Sequence, residues 1–201
     1  MSIDLGSNAK VKLAAANMLN PLQQGELDGL CGLYAIVNAL RLAVFPGHSL
    51  TDAQTYELFA AGVSWLDGRG LLASVVQSGM SQRVWRELMV HVTTELPNTL
   101  RGAISFQRLI KAGNAASLTM AYARITAACE RGCPVLALVY DSYDHFTVIS
   151  GTTASRLVLF DSYGFHWLNR QSCSLVRGTA ARHRLAPRAL IAVQFEHLHE
   201  V

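Results

Sequence analysis

The spacing of hydrophobic positions changes once along this chain, near Pro134. Before that point apolar residues recur at helical intervals. Residues 31–44 carry them on nearly every face, the pattern of a central helix covered by its neighbours, and Pro46-Gly47 closes it. Ser49-Leu50-Thr51-Asp52 supplies a cap for a second helix reaching about residue 61, and a third is expected over 70–77. Ser81 opens a helix through 96, with Val84, Trp85, Leu88, Met89 and Val92 at helical spacing. After Pro97 come a short segment at 104–111 and a helix from about 115 to 130, stopped by Gly132-Cys133-Pro134. Beyond Pro134 the apolar stretches are short, β-branched and separated by turn signals. They predict strands at 135–140, 145–150, 156–161 and 189–195. Helices first and strands second is an α+β signature, an antiparallel sheet packed on helices, and not a chain of alternating βαβ units. With no repeat and no low-complexity linker, residues 1–201 read as one domain.

Composition narrows the class. Hydrophobic residues make up 51% of the 201 and charged residues 15%, which fits a compact globule and argues against disorder. A net charge of +3 and a pI near 8.8 are too mild to imply nucleic acid. Arg170, Arg177, Arg182, Arg184 and Arg188 come after Asp161 with no acidic residue before Glu196. They form either a solvated basic surface or a docking face for an acidic protein. No secretory signal is visible in residues 1–12, and the apolar run at 35–45 is interrupted by Asn38 and Arg41, so no membrane span is expected. Of the four cysteines, Cys129 and Cys133 lie one helical turn apart without the second pair a zinc site needs. They read as core or helix-face thiols. No His-Glu-x-x-His, P-loop or Gly-x-Gly-x-x-Gly pattern occurs, so neither metal nor cofactor is expected. Reduced thiols without a signal suit a cytoplasm, or export by a route that needs no N-terminal signal.

The chemistry concentrates around Cys31. Gln23 and Gln24 lie in a polar loop, Asp28-Gly29 makes a turn, and Cys31 then starts the apolar helix. Unpaired backbone N–H groups and the positive end of the helix dipole favour a thiolate at that position. Gly32, with no side chain, leaves room for a substrate carbonyl. Against this stands the ordinary fate of a lone cysteine in an apolar helix, an inert core thiol. His145 opens one predicted strand and Asp161 ends the next. If the two strands form a hairpin, the imidazole and the carboxylate become cross-strand neighbours. Taken singly, His145 is also a strand-end histidine and Asp161 a turn former. Their order and spacing, with Cys31 upstream, favour a nucleophile, base and orienting acid. His166 follows the turn after Asp161 and is a candidate to line the site, but it competes poorly as the base because it has no acid at hairpin spacing. His48, His91, His183, His197 and His199 fall in predicted loops, helix surfaces or the tail.

These residues carry a resemblance. The Gln…Asp-Gly-Leu-Cys31-Gly start, the His145-Phe-Thr-Val-Ile-Ser-Gly strand and the Leu-Val-Leu-Phe-Asp161 strand resemble papain-like cysteine peptidases. The nearest branch is the bacteriocin-leader-processing peptidase domains of bacterial ABC transporters and their stand-alone relatives. The resemblance covers the first forty or so residues and 134–163. It implies a papain-like α+β fold, an N-terminal helical half with the nucleophile at a helix start and a C-terminal antiparallel sheet. Carried over, Cys31 is the nucleophile, His145 the general base and acid, Asp161 its orienter and Gln24 the oxyanion donor. Gln24 stands one residue further from the cysteine than is usual in that family, and Gln23 further still. Asp161-Ser162-Tyr163-Gly164 is also similar to the Asp-Ser-Met-Gly of ubiquitin-like-protein proteases, whose cysteine comes after the histidine and aspartate instead of preceding them. The implied activity is hydrolysis of a peptide or isopeptide bond in a protein or peptide substrate. Glutamine deamidation or acyl transfer would use the same triad, and a non-catalytic papain-like binding module is the remaining alternative. The loops at 141–144 and 162–167 are expected to flank the cleft, with Tyr143 and Trp167 lining the substrate path.

Overall fold

The computed structural model of the chain describes residues 11–25, 28–45, 47–98, 100, 102–111 and 116–197. The polar lead-in at 1–10, Pro46 of the expected helix stop, the expected helix start at 115 and His199 lie outside the described residues. In chain order the elements are β1 (Val11–Lys12), α1 (Ala15–Met18), α2 (Cys31–Val44), α3 (Asp52–Asp67), α4 (Leu72–Ser78), α5 (Gln82–Thr94) and β2 (Gly102–Arg108). Next come α6 (Leu118–Glu130), β3 (Val135–Tyr140), β4 (His145–Thr152), β5 (Arg156–Phe160), β6 (Trp167–Asn169), β7 (Cys173–Ser174), β8 (His183–Leu185) and β9 (Ile191–His197). This is a mixed α+β fold with its helices mainly N-terminal and an antiparallel sheet mainly C-terminal.

The helix starts are locally encoded. Thr51 and Gln54 form a reciprocal capping box on α3, and the Ser81 and Ser117 hydroxyls accept from the N–H groups of Val84 and Met120 at the starts of α5 and α6. α3 continues beyond the expected end at 61, because Thr55, Leu58, Gly62 and Leu66 keep one buried face going at three- and four-residue intervals. The strand order is β2-β9-β3-β4-β5-β6, antiparallel throughout, with β1 on the end of β4 and β8 beside the end of β3. The segment at 104–111 thus proves largely strand: β2 pairs with β9 along its whole length. Only Ile104 and Phe106 of β2 pack against the core, a signal too thin to read as alternation.

The sheet is buried on both faces. Leu136, Leu138, Phe146, Val148, Ile191 and Val193 join α2, α3 and α5 in one core. Val135, Ala137, Ile149, Leu157, Leu159 and Ala192 join α6 in a second. Every residue of β4 is therefore buried, which accounts for its continuous apolar texture. α2 lies against this sheet and brings its first residue, Cys31, to the open end of β4, where His145 begins. Among the described residues, no helix is long and apolar enough to cross a membrane.

Candidate active site

Two polar residues interrupt the apolar α2, and both hold the irregular segment that leads to the site. Asn38, fully buried, accepts the Leu22 N–H at 2.8 Å and donates to the Leu22 carbonyl at 3.3 Å. Arg41 donates to the Asn20 carbonyl at 2.9 Å. The next residues are thereby pinned along α2, and Gln24 is delivered to the cleft that contains Cys31. The Gln24 amide donates to the Asp28 carbonyl, its side-chain oxygen accepts from the Ser162 hydroxyl at 3.3 Å, and its backbone N–H donates to the Ser162 carbonyl at 2.8 Å. Asp28 ties the turn by accepting from the N–H groups of Gly25 and Leu30, each at 3.0 Å. Gln23 points elsewhere, donating to the Pro21 carbonyl at 3.3 Å, and does not line the cleft.

Gly29 sets the depth of this loop. Its N–H donates to the Val76 carbonyl at 2.8 Å, and a Cβ there would lie 2.3 Å from the Val75 carbonyl oxygen. Only a residue without a side chain lets the loop dock on the end of α4. Gly32 has a different role from the one expected of it. A Cβ at Gly32 would meet Met80 Sδ at 2.8 Å and Trp85 Cδ1 at 3.0 Å, so the missing side chain serves core packing and leaves no extra room for substrate. The Gly32 carbonyl accepts the Trp85 indole N–H at 3.1 Å.

β4 and β5 form the hairpin the spacing predicts. Val148 pairs with Phe160, so Asp161, just past the end of β5, continues the register opposite Thr147, and His145 meets it diagonally. Diagonal neighbours across a ladder are within reach of long side chains. His145 Nε2 lies 2.8 Å from Asp161 Oδ2, with both residues buried. That bond leaves Nδ1 as the other ring nitrogen, and Cys31 lines the same cleft, near enough to bear on the titration of the imidazole. Burial alone would lower the His145 pKa. The hydrogen bonds and negative charges of Asp161 and Cys31 outweigh it and push the value up to about 9. For Asp161, burial acts to raise the pKa, but its bonding to His145 and to the Tyr163 N–H keeps it below the ordinary carboxylate value.

Asp161 also organises the loop after β5. Its Oδ1 accepts from the N–H groups of Tyr163 at 2.8 Å and Phe165 at 3.2 Å. This curls the loop so that both rings stand near the imidazole, Phe165 edge-on at 5.7 Å and Tyr163 at 6.2 Å between centroids. Tyr143 packs on Phe165 at 4.3 Å. Gln24, Cys31, Tyr143, His145, Tyr163 and Phe165 line one cleft of about 550 Å³, closed on its other side by residues 76–79. Trp167, expected in the substrate path, does not line this cleft. It lies on β6, half-exposed, with the Arg156 guanidinium 4.8 Å from its ring and His166 stacked on it. The turn bonded by Asp161 is tighter than a loop reaching to 167 would be, so the cleft takes its aromatics from 163 and 165. An aspartate followed by Ser-Tyr-Gly, whose side chain can capture N–H groups two and four residues on, was the available signal.

The other three thiols are remote in character. Cys129, Cys133 and Cys173 are buried in the second core, and burial pushes Cys129 up to about 12 and Cys173 up to about 11, with Cys133 also raised. Compared with models of known protein families and with curated proteins, the chain matches none. The functional reading therefore rests on geometry alone. Of the arginines after Asp161, Arg170 lies over the Tyr122 ring and Arg184 pairs with Asp141, while Arg177, Arg182 and Arg188 are exposed. His183, expected in a loop, a helix surface or the tail, is instead buried on β8 and touches the loop before His145. Among the described residues, no three His, Cys, Asp or Glu side chains converge as metal ligands.

Proposed function

We propose that this chain is a papain-like thiol hydrolase that cleaves a peptide or isopeptide bond of a protein or peptide substrate. The observation that carries the reading is the buried His145–Asp161 pair at 2.8 Å, with a thiol at the start of a helix lining the same cleft as the imidazole. A structural histidine has no need of all three relations at once.

In this reading the Cys31 sulfur attacks the scissile carbonyl carbon while its proton is held on His145. The oxyanion that forms is met by the Cys31 backbone N–H and the Gln24 amide, whose other N–H is already fixed by the Asp28 carbonyl. As the tetrahedral intermediate collapses, His145 gives its proton to the leaving amine and an acyl-thioester remains on Cys31. A water, deprotonated by His145, then attacks the thioester, releasing the carboxylate and restoring the thiol. Asp161 holds the imidazole in the orientation both steps require, and a raised His145 pKa suits it to act as an acid near neutrality.

The test incubates wild type and Cys31→Ala with peptide libraries and with ubiquitin-like conjugates and reads products by mass. New chain termini with wild type alone support hydrolysis. Ammonia release without chain cleavage moves the reaction to glutamine deamidation by the same triad. Identical, product-free spectra from both proteins would sink the proposal.

A further inference from the structure

The wall of the cleft before His145 is a four-residue loop, 141–144, in which two non-glycine residues adopt left-handed backbone: Asp141 at φ 75° and Asp144 at φ 47°. Such residues persist where their surroundings over-determine them. Here the surroundings are β8. Ser142 Oγ lies 2.5 Å from His183 Nδ1. The Tyr143 ring stacks on the His183 ring at 5.4 Å and 18°. Arg184 Nε lies 3.3 Å from Asp141 Oδ2, and the same guanidinium sits 4.2 Å from the Tyr140 ring centroid. β8 in turn is fastened to the sheet, Leu185 opposite Val139 and Arg184 opposite Tyr140, with the Ala186 N–H donating to the Leu138 carbonyl at 2.9 Å.

We infer that His183, assisted by Arg184, is a positioning residue that fixes loop 141–144 as the substrate-facing wall beside the Cys31–His145 pair. What the wall does for substrate rests on the hydrolase reading; the holding of the loop does not. Tyr143 is flanked by His183 and Phe165, so its ring, which lines the cleft, has little freedom to leave. Burial, and then the charge of Arg182, lower the His183 pKa, so the imidazole is neutral near pH 7 and Nδ1 can accept the Ser142 hydroxyl proton. His183 makes its bonds to the loop, whereas the catalytic pair is held by Asp161. Loss of His183 should therefore weaken substrate binding more than chemistry.

The test compares His183→Leu with His183→Asn, whose amide stands where Nδ1 stood. Four quantities are read: amide hydrogen exchange across 141–145, the rate at which iodoacetamide labels Cys31, and KI and kinact for a dipeptidyl epoxysuccinate. Iodoacetamide samples the thiol alone, whereas the epoxide must lie along the wall. In His183→Leu, exchange should quicken and KI rise roughly fivefold, the share of one hydrogen bond, with kinact and iodoacetamide labelling within about twofold of wild type. His183→Asn should recover most of the loss. Ser142→Ala, an alteration on the loop that leaves β8 intact, should reproduce the exchange and KI changes and serves if His183→Leu does not fold. Unchanged exchange in the folded variants overturns the inference whatever the kinetics. A parallel fall in iodoacetamide labelling that asparagine does not rescue overturns it too, because His183 would then act on the triad. A wild-type Cys31 no more reactive than an unfolded thiol defeats the hydrolase reading, and exchange alone then judges the loop.

Discussion

Asp161 has no idle oxygen: one binds His145 and the other the N–H groups of Tyr163 and Phe165. Asp161→Asn should therefore leave the turn standing and release the imidazole, and pH separates these effects. The His145 pKa is raised from 6.5 to about 9, so the pair's contribution to stability is full below 6.5 and is lost as pH rises through 9. Asp161 is held below 3.8, so its contribution is present above that value and is lost as pH falls through its lowered folded value. Melting temperature should accordingly decline on the alkaline side in wild type, and Asp161→Asn should flatten that decline. The raised His145 pKa predicts an alkaline limb of kcat/KM near 9 in wild type, and this limb should move to lower pH in the same variant. The thiols make a second contrast. Brief iodoacetamide treatment near neutral pH should label Cys31 first, since burial holds Cys129, Cys133 and Cys173 protonated; peptide mapping by mass finding any of these labelled ahead of Cys31 would refute it. Gln24→Ala should lower kcat on the order of 10²–10³, the usual loss of one oxyanion donor, while Gln23→Ala stays near wild type. Equal losses from both would show that the polar loop acts as a unit.

At the scale of elements, the pieces that build the site were legible where strong local signals agreed. A cap named α3, a start residue with helical spacing named α5, the Gly132-Cys133-Pro134 stop named the end of α6, the Asp28-Gly29 turn put Cys31 at the start of α2, and the short loop between β4 and β5 forced the hairpin that joins His145 to Asp161. The features that escaped depend on contacts between distant segments. β8 spans three residues, too short for periodicity, so the partnership of His183 with Ser142 had no sequence signal. Asn38 and Arg41 were visible as breaks in an apolar helix, but their service to residues 20–22 becomes apparent only once α2 and that segment lie side by side. This last arrangement predicts a coupling. Asn38→Ala strands the Leu22 N–H and carbonyl in a half-buried seam and should cost about 1–3 kcal/mol. Because the same segment carries Gln24, kcat should fall as well, in the direction of Gln24→Ala. Denaturant titration with kinetics on the same samples would check this, and destabilisation with kcat intact would show that Gln24 is placed by its Ser162 and Asp28 bonds alone.

At the scale of the molecule, Cys31 and His145 come from different structural halves, and contacts between those halves keep them in register. Trp85 of α5 is the joint. Its indole N–H binds the Gly32 carbonyl next to Cys31, and its ring lies 4.5 Å from Phe146, the residue after His145. One fully buried side chain thus touches the neighbours of both Cys31 and His145. The core containing Trp85 draws on α2, α3 and α5 and on β3, β4 and β9 alike, so the helical and sheet halves have no separate core on that face. Unfolding should therefore be a single transition, with far-ultraviolet circular dichroism and tryptophan fluorescence giving the same midpoint. Trp85→Ala should shift that midpoint by the equivalent of about 3–5 kcal/mol, the cost of emptying a large buried site, without splitting the transition. It should also slow iodoacetamide labelling of Cys31 in protein that is still folded, because the gap loosens the approach of sulfur to imidazole. Two separated transitions, or labelling at the wild-type rate in a folded Trp85→Ala protein, would mean that the halves hold their geometry independently and that Trp85 contributes volume only.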